Sequence, residues 1–326
     1  MTNKKIIIAG GTGFIGHALA AYFGGTNTII ILSRGGNHAH NNNFGNSPLA
    51  GRSGNVHLVR WNGKDAGDWC KEIDGADVVI NLTGKSVNCR YTAKNKREIF
   101  DSRTNSTKAI GNAIYNATVP PKLWLNAASA TIYRNATDRP QDEYTGEIEN
   151  DFSVQVCKLW EKTFFDQRTP FTRKVALRMA VTLGNGGVMV PYLNLCKFGL
   201  GGRQGSGKQM FSWVHAEDIC RAVDFFFEHA ELEGVYNVCS PNPVSNQIFM
   251  QTLRRVTGHF FGLPAFAWML KIGAVLIGTE TELLLKSRWV VPAKLTEAGF
   301  SFKYAKLDDA FTAIISQMPR KRYHLF

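Results

Sequence analysis

Lys5 to Gly16 reads KIIIAGGTGFIG. A short isoleucine-rich run stops at a glycine turn, and HALAAYF follows with its apolar residues in helical period, so the pattern is strand, turn, helix. Gly10, Gly13 and Gly16 are spaced three apart, and the same stretch holds Gly11-x-Gly13-x-x-Gly16. A glycine triplet alone is weak. Between a strand and a helix, one glycine makes the turn, one lets the backbone approach a pyrophosphate, and one packs the helix on the sheet. The helix start adds unpaired N–H groups and about half a positive charge. A dinucleotide held by Gly10, Thr12, Gly13, Phe14, Ile15 and Gly16 is the expectation.

The next apolar run is Thr28–Leu32, followed by Ala76–Leu82. The residue that meets the ribose belongs at the end of the second strand, about 20 residues past the glycines. There the chain reads Ser33-Arg34, without a carboxylate. An acid would hold the 2′-hydroxyl of NAD and repel a 2′-phosphate, whereas a guanidinium fork matches a phosphate. NADP(H) is therefore expected over NAD(H), against the plainer reading of Arg34 as an exposed loop-edge residue.

Gly35 to Asn55 is dominated by Gly, Asn and Ser and reads as a long mobile loop. A helix is expected from about Thr92 to Asn116, a strand over Lys122–Ala127, a helix carrying VQVCKLWEKTFF, and a strand over Lys174–Thr182. Strands alternating with helices imply right-handed crossovers and a parallel sheet covered on both faces, an α/β doubly wound Rossmann fold. After Gly184 the pattern loosens. Residues 1–183 are assigned to the nucleotide-binding domain, with 211–238 returning to it, and 184–326 to a smaller α/β lobe.

With 326 residues, 44% hydrophobic and 20% charged, the chain has ordinary globular composition. Its first residues pass straight into strand and glycine turn, with no signal-peptide pattern. Six cysteines without a CxxC pair suit reduced thiols in a cytoplasm, and eight histidines in no ligand spacing give metal no support. The net charge of +12 admits nucleic acid, a membrane surface or an anionic small molecule. Only the C-terminal PRKRYHLF concentrates it, a short basic tail is ordinarily solvated, and no nucleic-acid module accompanies it. The most lipid-like window, Phe260–Gly278, is interrupted by Pro264 and Lys271 and reads as a buried amphipathic helix rather than a membrane contact.

These residues resemble the extended short-chain dehydrogenase/reductases, the NAD-dependent epimerase/dehydratase family. Within it the chain is similar to an atypical branch described as sugar-nucleotide epimerase-like or cell-division-inhibitor-like, with a C-terminal domain of unknown function over about residues 245–320. The marks are GGTGFIG, Ser33-Arg34, NLTG at 81–84, R-Y-T with K-x-x-I-x-x-S-R ending at Arg103, Trp160-Glu161, GLGGRQGSGKQMFSWVHAEDI, GVYNVCSPNPVSN and VVPAKLTEAGFSF. The resemblance implies cofactor contacts from Leu82, Thr83 and Gly84. It also implies Glu98 and Arg103 beside the cofactor, unless they form a surface ion pair. Ser129 matches the serine that hydrogen-bonds the substrate oxygen, unless it is simply a buried serine bonded to backbone.

The family moves the hydroxyl proton with a tyrosine whose pKa, ordinarily about 10, is lowered by a lysine one helical turn on. Counting from Ser129 by the family spacing lands on Val154, with Lys158 four residues further. The lysine, expected at the nicotinamide ribose, has stayed and the phenol is missing. Tyr133 and Tyr144 are the nearest stand-ins; Cys157 reads as core. Nucleotide-sugar enzymes of this kind grip the diphosphate with an arginine where this chain has Phe211, so Phe211 and Trp213 suggest a flatter, more apolar ligand. Arg203 and Lys208 remain for an anion, and His215 with Asp218 for the lobe junction. The resulting expectation is an NADP(H)-dependent oxidoreductase or epimerase acting on a small molecule; the alternative is a non-catalytic NADP(H) or metabolite sensor.

Overall fold

The computed structural model describes residues 1–35, 55–266, 268, 270 and 286–325. Nearly all of the expected loop at 35–55, and much of the 260–278 window, lies outside them. The centre is a seven-stranded, all-parallel sheet built from β1 (Lys5–Ala9), β2 (Thr28–Ser33), β3 (Val56–Arg60), β4 (Val78–Asn81), β5 (Leu123–Ser129), β6 (Arg173–Met179) and a later strand at Gly234–Val238. In space the order is β3-β2-β1-β4-β5-β6 and then Gly234–Val238. The chain therefore reverses direction across the sheet between β1 and β4, where a crevice opens at the carboxyl ends of the strands.

The triple isoleucine of β1 follows from burial on both faces, since successive side chains alternate. Ile6 and Ile8 join Ile29, Ile31, Val78 and Ile80 under α1 (Phe14–Phe23) and the helix at Ala216–Glu228. Ile7 faces the other way, with Ile30, Val79 and Trp124. That face is covered by α2 (Cys70–Ile73), α3 (Ala93–Tyr115) and α4 (Phe152–Phe165). Thr92 caps α3 by accepting from Asn95 N, and Asp151 caps α4 by accepting from Val154 N.

The expected strand over Lys174–Thr182 is two strands. After β6 the chain leaves the sheet at Ala180, and β7 (Val181–Leu183) pairs in parallel with β9 (Trp213–His215). Between them lie α5 (Met189–Lys197) and β8 (Met210–Phe211); α6 (Ala216–Glu228) follows β9 and leads to β10 (Gly234–Val238), the sheet's edge strand. β11 (Val244–Ser245) pairs antiparallel with β8, and α7 (Asn246–Val256), α8 (Ala293–Glu297) and α9 (Leu307–Ser316) complete the described elements. A separate core of Leu193, Trp213, Phe249, Leu253, Phe311 and Ile314 joins α5, α7 and α9.

The start of the 260–278 window is not a buried helix: residues 260–264 run without regular structure, with Phe260 102% and Phe261 70% exposed. Pro264 denies that stretch a helical donor and biases the residue before it toward extended backbone. No helix among the described residues is long and apolar enough to cross a membrane.

Candidate functional site

The glycine turn closes at the carboxyl end of β1. Gly10 has φ +74°, and a Cβ there would crowd Leu82 and Thr83 at 3.2 Å. Gly16 lets α1 lie against the turn, since its Cβ would meet Gly11 Cα at 2.4 Å. Gly13 differs. Its φ is −81° and an added Cβ would approach nothing nearer than Gly10 O at 3.5 Å, so the protein's own packing does not require glycine there. Gly13 is the N-cap of α1, no side chain caps the helix, and its first turn carries no acid. Thr12 is exposed on the turn, and Phe14 packs over Gly184, Gly186 and Gly187.

Facing the turn is the loop after β4, held by buried amides. Asn81 Nδ2 donates to Asn126 Oδ1 at 2.7 Å and to Thr107 Oγ1 at 3.2 Å, while Asn81 Oδ1 accepts from Thr83 N at 3.1 Å. Leu82 N donates to Ala9 O at 2.9 Å, which fixes this loop beside β1. The Thr83 hydroxyl is buried and has no hydrogen-bond partner among the described residues, so it is placed to bond a ligand oxygen or nitrogen. Glu98 and Arg103 do not pair with each other. Glu98 binds Lys85, and the two line a hollow of about 440 Å³ together with Arg34, Asn62, Lys64 and Ser102. Ser33 is buried at the end of β2, its Oγ accepting from Gly35 N at 3.2 Å. Arg103 turns inward beside Gly84, donates to Lys85 O at 3.0 Å and Ile99 O at 3.1 Å, and stacks 4.9 Å over the Trp160 ring. It pairs with no carboxylate among the described residues, and burial lowers its pKa.

The catalytic expectations fare unevenly. Ser129 ends β5 half-buried, its hydroxyl donating to Thr131 Oγ1 at 2.9 Å. Tyr133 is not available as an acid or base: it is 2% exposed, its hydroxyl lies between Arg178 and Asn237, and burial raises its pKa. Tyr144 lies at the surface and donates to Glu297 Oε2 at 2.6 Å, which pushes its pKa up to about 12. Val154 is fully buried in a cluster with Ala130, Ile132, Cys157, Cys239 and Val290. Lys158 departs from expectation. It is exposed beside Leu159, Lys162 and Phe165, because the helix turns its Cys157 and Trp160 side inward and leaves Lys158 on the outer one. Cys157 lies within electrostatic reach of Arg103, and burial pushes its thiol up to about 12, so it stays protonated.

On the lobe side, Trp213 is fully buried, its indole donating to Asn242 O, and Phe211 packs on Phe249 at 4.3 Å. Trp213 therefore belongs to the lobe core and not to a ligand surface. His215 caps α6 by accepting from Glu217 N at 3.2 Å and packs its ring 3.9 Å from that of Tyr304, and Asp218 accepts from Lys303 N and Tyr304 N at 2.8 and 2.9 Å, so both tie the C-terminal segment to α6. Arg203 bonds the carbonyls of Gly205 and Ser206 in its own loop, and Lys208 is exposed. Sequence reasoning missed Arg288. It bridges Phe211 through the backbone and acts electrostatically on Asp151 and Cys157, bringing a C-terminal cation toward α4. Only its long separation from α4 in sequence concealed it.

This arrangement defines a Rossmann-fold protein of the extended short-chain dehydrogenase/reductase type, and the chain belongs to the NAD dependent epimerase/dehydratase family. That family matches residues 6–155, and a domain of unknown function matches 265–314. Epimerase family protein YfhF of Bacillus subtilis is 30% identical over 312 residues, covering 96% of this chain and 98% of that protein. Epimerase family protein SSP1921 of Staphylococcus saprophyticus is 30% identical over 316 residues, covering 96% and 99%. Human epimerase family protein SDR39U1 (isoform 2), solved with NADPH, superposes with TM-score 0.83 at 25% identity over 96% of this chain and 100% of that one. A UDP-N-acetylglucosamine 4-epimerase from Methanobrevibacter ruminantium, with TM-score 0.75 and 16% identity over 98% and 100%, shares the fold.

Proposed function

We propose that the chain binds a nicotinamide dinucleotide, NADP(H) in preference to NAD(H), on the glycine turn, and uses it in a redox step on a small molecule held toward the C-terminal lobe. Gly13 carries the binding half: a glycine that the protein's own packing does not need, at an uncapped helix start, suits the close approach of a pyrophosphate. The unpartnered Thr83 hydroxyl and the Arg34 hollow support the same reading, as does the human relative solved with NADPH. Residues 1–183, with 211–238, would form the nucleotide half and 184–326 the substrate side, in a reducing cytoplasm that suits six free thiols.

When bound, the nicotinamide accepts or supplies a hydride. Arg34 takes the 2′-phosphate, and Leu82, Thr83 and Gly84 line the cofactor. Arg103, a cation already held beside Gly84, supplies the charge that Lys158 does not bring. The Ser129 hydroxyl turns from Thr131 to donate to the substrate oxygen. With Val154 in the core, the proton moves by water or another group and not by a phenol at that position.

The second reading, a non-catalytic NADP(H) sensor, is favoured by Val154 and Lys158 together: one is sealed in the core and the other faces outward. Calorimetric titration with NADPH and NADH, followed by NADPH absorbance over a panel of aldehydes and ketones, separates the two. Binding with oxidation of NADPH supports the first reading and binding alone the second. If neither cofactor binds, both are wrong.

A further inference from the structure

We propose that the smaller lobe docks on an anionic lipid surface through an exposed aromatic ridge, a contact independent of the nucleotide site. Two loops build the ridge. Phe198-Gly199-Leu200 follows α5, and Phe260-Phe261-Gly262-Leu263 comes shortly after α7. Their backbones are clamped: Leu263 N donates to Gly199 O at 2.8 Å and Gly202 N to Leu263 O at 3.1 Å. No side chain fits between them, since a Cβ on Gly202 would meet Gly262 O at 2.5 Å and one on Gly262 would meet Gly201 C at 2.6 Å.

The ridge is thus a fixed piece of backbone whose large apolar side chains point to solvent. Phe198 is 62% exposed, Leu200 43%, Phe260 102%, Phe261 70% and Leu263 58%. Scattered surface hydrophobics need no explanation, but five on two hydrogen-bonded loops form one patch of the kind that marks an interaction site.

Charge selects the occupant. Residues 185–216, 234–266 and 310–326, which supply the ridge and flank it, contain no Asp or Glu, and the neighbouring Asp308 of α9 is matched by Arg255 of α7. They do contain Lys197 and the exposed turn Arg320-Lys321-Arg322. Lys321 sits at the base of the ridge, where Lys197 Nζ donates to its carbonyl at 2.9 Å, and the His259 and His324 rings stack at 4.5 Å; Arg322 instead lines a hollow with Phe14, His17 and Glu217. A second copy seated here in a two-fold contact would press one net cationic patch on another. Single-stranded nucleic acid would use the rings and the cations but leave Leu200 and Leu263 in water. An anionic bilayer offers hydrocarbon to the Phe and Leu side chains and phosphates to the Arg and Lys groups at the same depth.

The test is co-sedimentation of the full chain with vesicles of phosphatidylcholine alone, and of two parts phosphatidylcholine to one part phosphatidylglycerol, at low and high salt. The chain should pellet with the mixed vesicles, less so at high salt, and hardly with phosphatidylcholine. Phe260→Ser with Phe261→Ser should weaken partitioning by on the order of tenfold or more. Arg320→Ala with Lys321→Ala should weaken it by about thirtyfold. Both variants alter exposed side chains and should keep the wild-type circular dichroism and melting temperature. The proposal is overturned if the wild type ignores mixed vesicles, or if the folded phenylalanine variant pellets as well as wild type. It is also overturned if the wild type instead binds an oligothymidylate, or forms a dimer that the phenylalanine variant breaks, while leaving the vesicles bare.

Discussion

Arg178 donates from Nη1 to the Tyr133 hydroxyl at 2.8 Å, while its Nε and Nη2 hold the two carboxylate oxygens of Glu161 at 2.8 and 2.7 Å. The phenol in turn donates to Asn237 Oδ1 at 3.1 Å, so this network stitches β6, β10, α4 and the turn after β5 together. Tyr133→Phe should therefore leave NADPH affinity and any turnover unchanged. It should cost about 1–3 kcal/mol in urea unfolding, because a buried donor and acceptor lose their partner. Glu161→Ala should cost more, about 3–5 kcal/mol, since it strands a buried guanidinium. Loss of activity in a stably folded Tyr133→Phe variant would return that tyrosine to the catalytic candidates.

Two glycines of one turn should respond in opposite ways. A Cβ on Gly13 meets no protein atom closer than 3.5 Å, whereas one on Gly16 falls 2.4 Å from Gly11 Cα. Gly13→Val should stay folded, losing only about 1 kcal/mol because valine is a poorer N-cap than glycine, and should lose NADPH binding by at least about tenfold through contact with the pyrophosphate. Gly16→Val should lose both fold and binding, because α1 must move off the sheet. Calorimetry and thermal unfolding on the pair decide it; a Gly13→Val protein that binds normally would remove the main support for the nucleotide site.

The family resemblance implies a cofactor contact from both Lys158 and Arg103, and the two are placed differently. Lys158 is exposed on the outer side of α4, while Arg103 lies between Gly84 and Trp160. Lys158→Ala should change NADPH affinity by less than about twofold, and Arg103→Gln should weaken it by about tenfold, the value of one charge-assisted hydrogen bond at its low end. Urea unfolding of Arg103→Gln guards against a purely structural effect. The reverse ranking would restore the lysine to the cofactor.

The sheet was legible in sequence wherever strands are buried on both faces. The isoleucines of β1 and β2 and the valines of β4 announce themselves because no alternation is left to blur them. β3 was missed: its VHLVR stands at the sheet edge, half-exposed, and offers no continuous apolar run. The glycine turn was legible because its constraint is local in sequence. The orientation of α4 was not. Val154 and Lys158 are four apart and nominally share a face, yet one is sealed and the other solvated, and only the packing against α3 and β5 decides where that boundary falls. Arg288 and the amide pair Asn81–Asn126 are long-range juxtapositions that no local pattern carries.

Arg34 stands at the end of β2 and lines the same hollow as Lys64, Lys85 and Glu98. Lys85 is already matched by Glu98 and Lys64 by Asp65, so Arg34 is the group to tell the two cofactors apart. Arg34→Glu should lower NADPH affinity by about 10- to 100-fold, the range of a lost charge-assisted hydrogen bond. NADH affinity should hold or rise, because the new carboxylate can accept from the 2′-hydroxyl. Equal losses for both cofactors would show that Arg34 does not read the 2′ position.

His215 links the junction of the two halves to pH. Burial lowers its pKa, opposed by Asp218 and Glu217 and assisted by Lys303, and its ring lies 3.9 Å from that of Tyr304. Its Nδ1 accepts from Glu217 N, which requires that nitrogen to be unprotonated. In the unfolded chain the imidazole titrates near about 6.5, so on acidification the unfolded state takes up its proton first. The stability that His215 contributes is complete above that value and declines as the pH falls from it toward the lower folded pKa. His215→Asn keeps a good N-cap residue for α6 and removes the titration. Urea midpoints from about pH 8 to about pH 5 should therefore fall more steeply for wild type than for His215→Asn, with the curves diverging below about pH 6.5. Parallel curves would mean that His215 keeps an ordinary pKa and that the junction is insensitive to its charge.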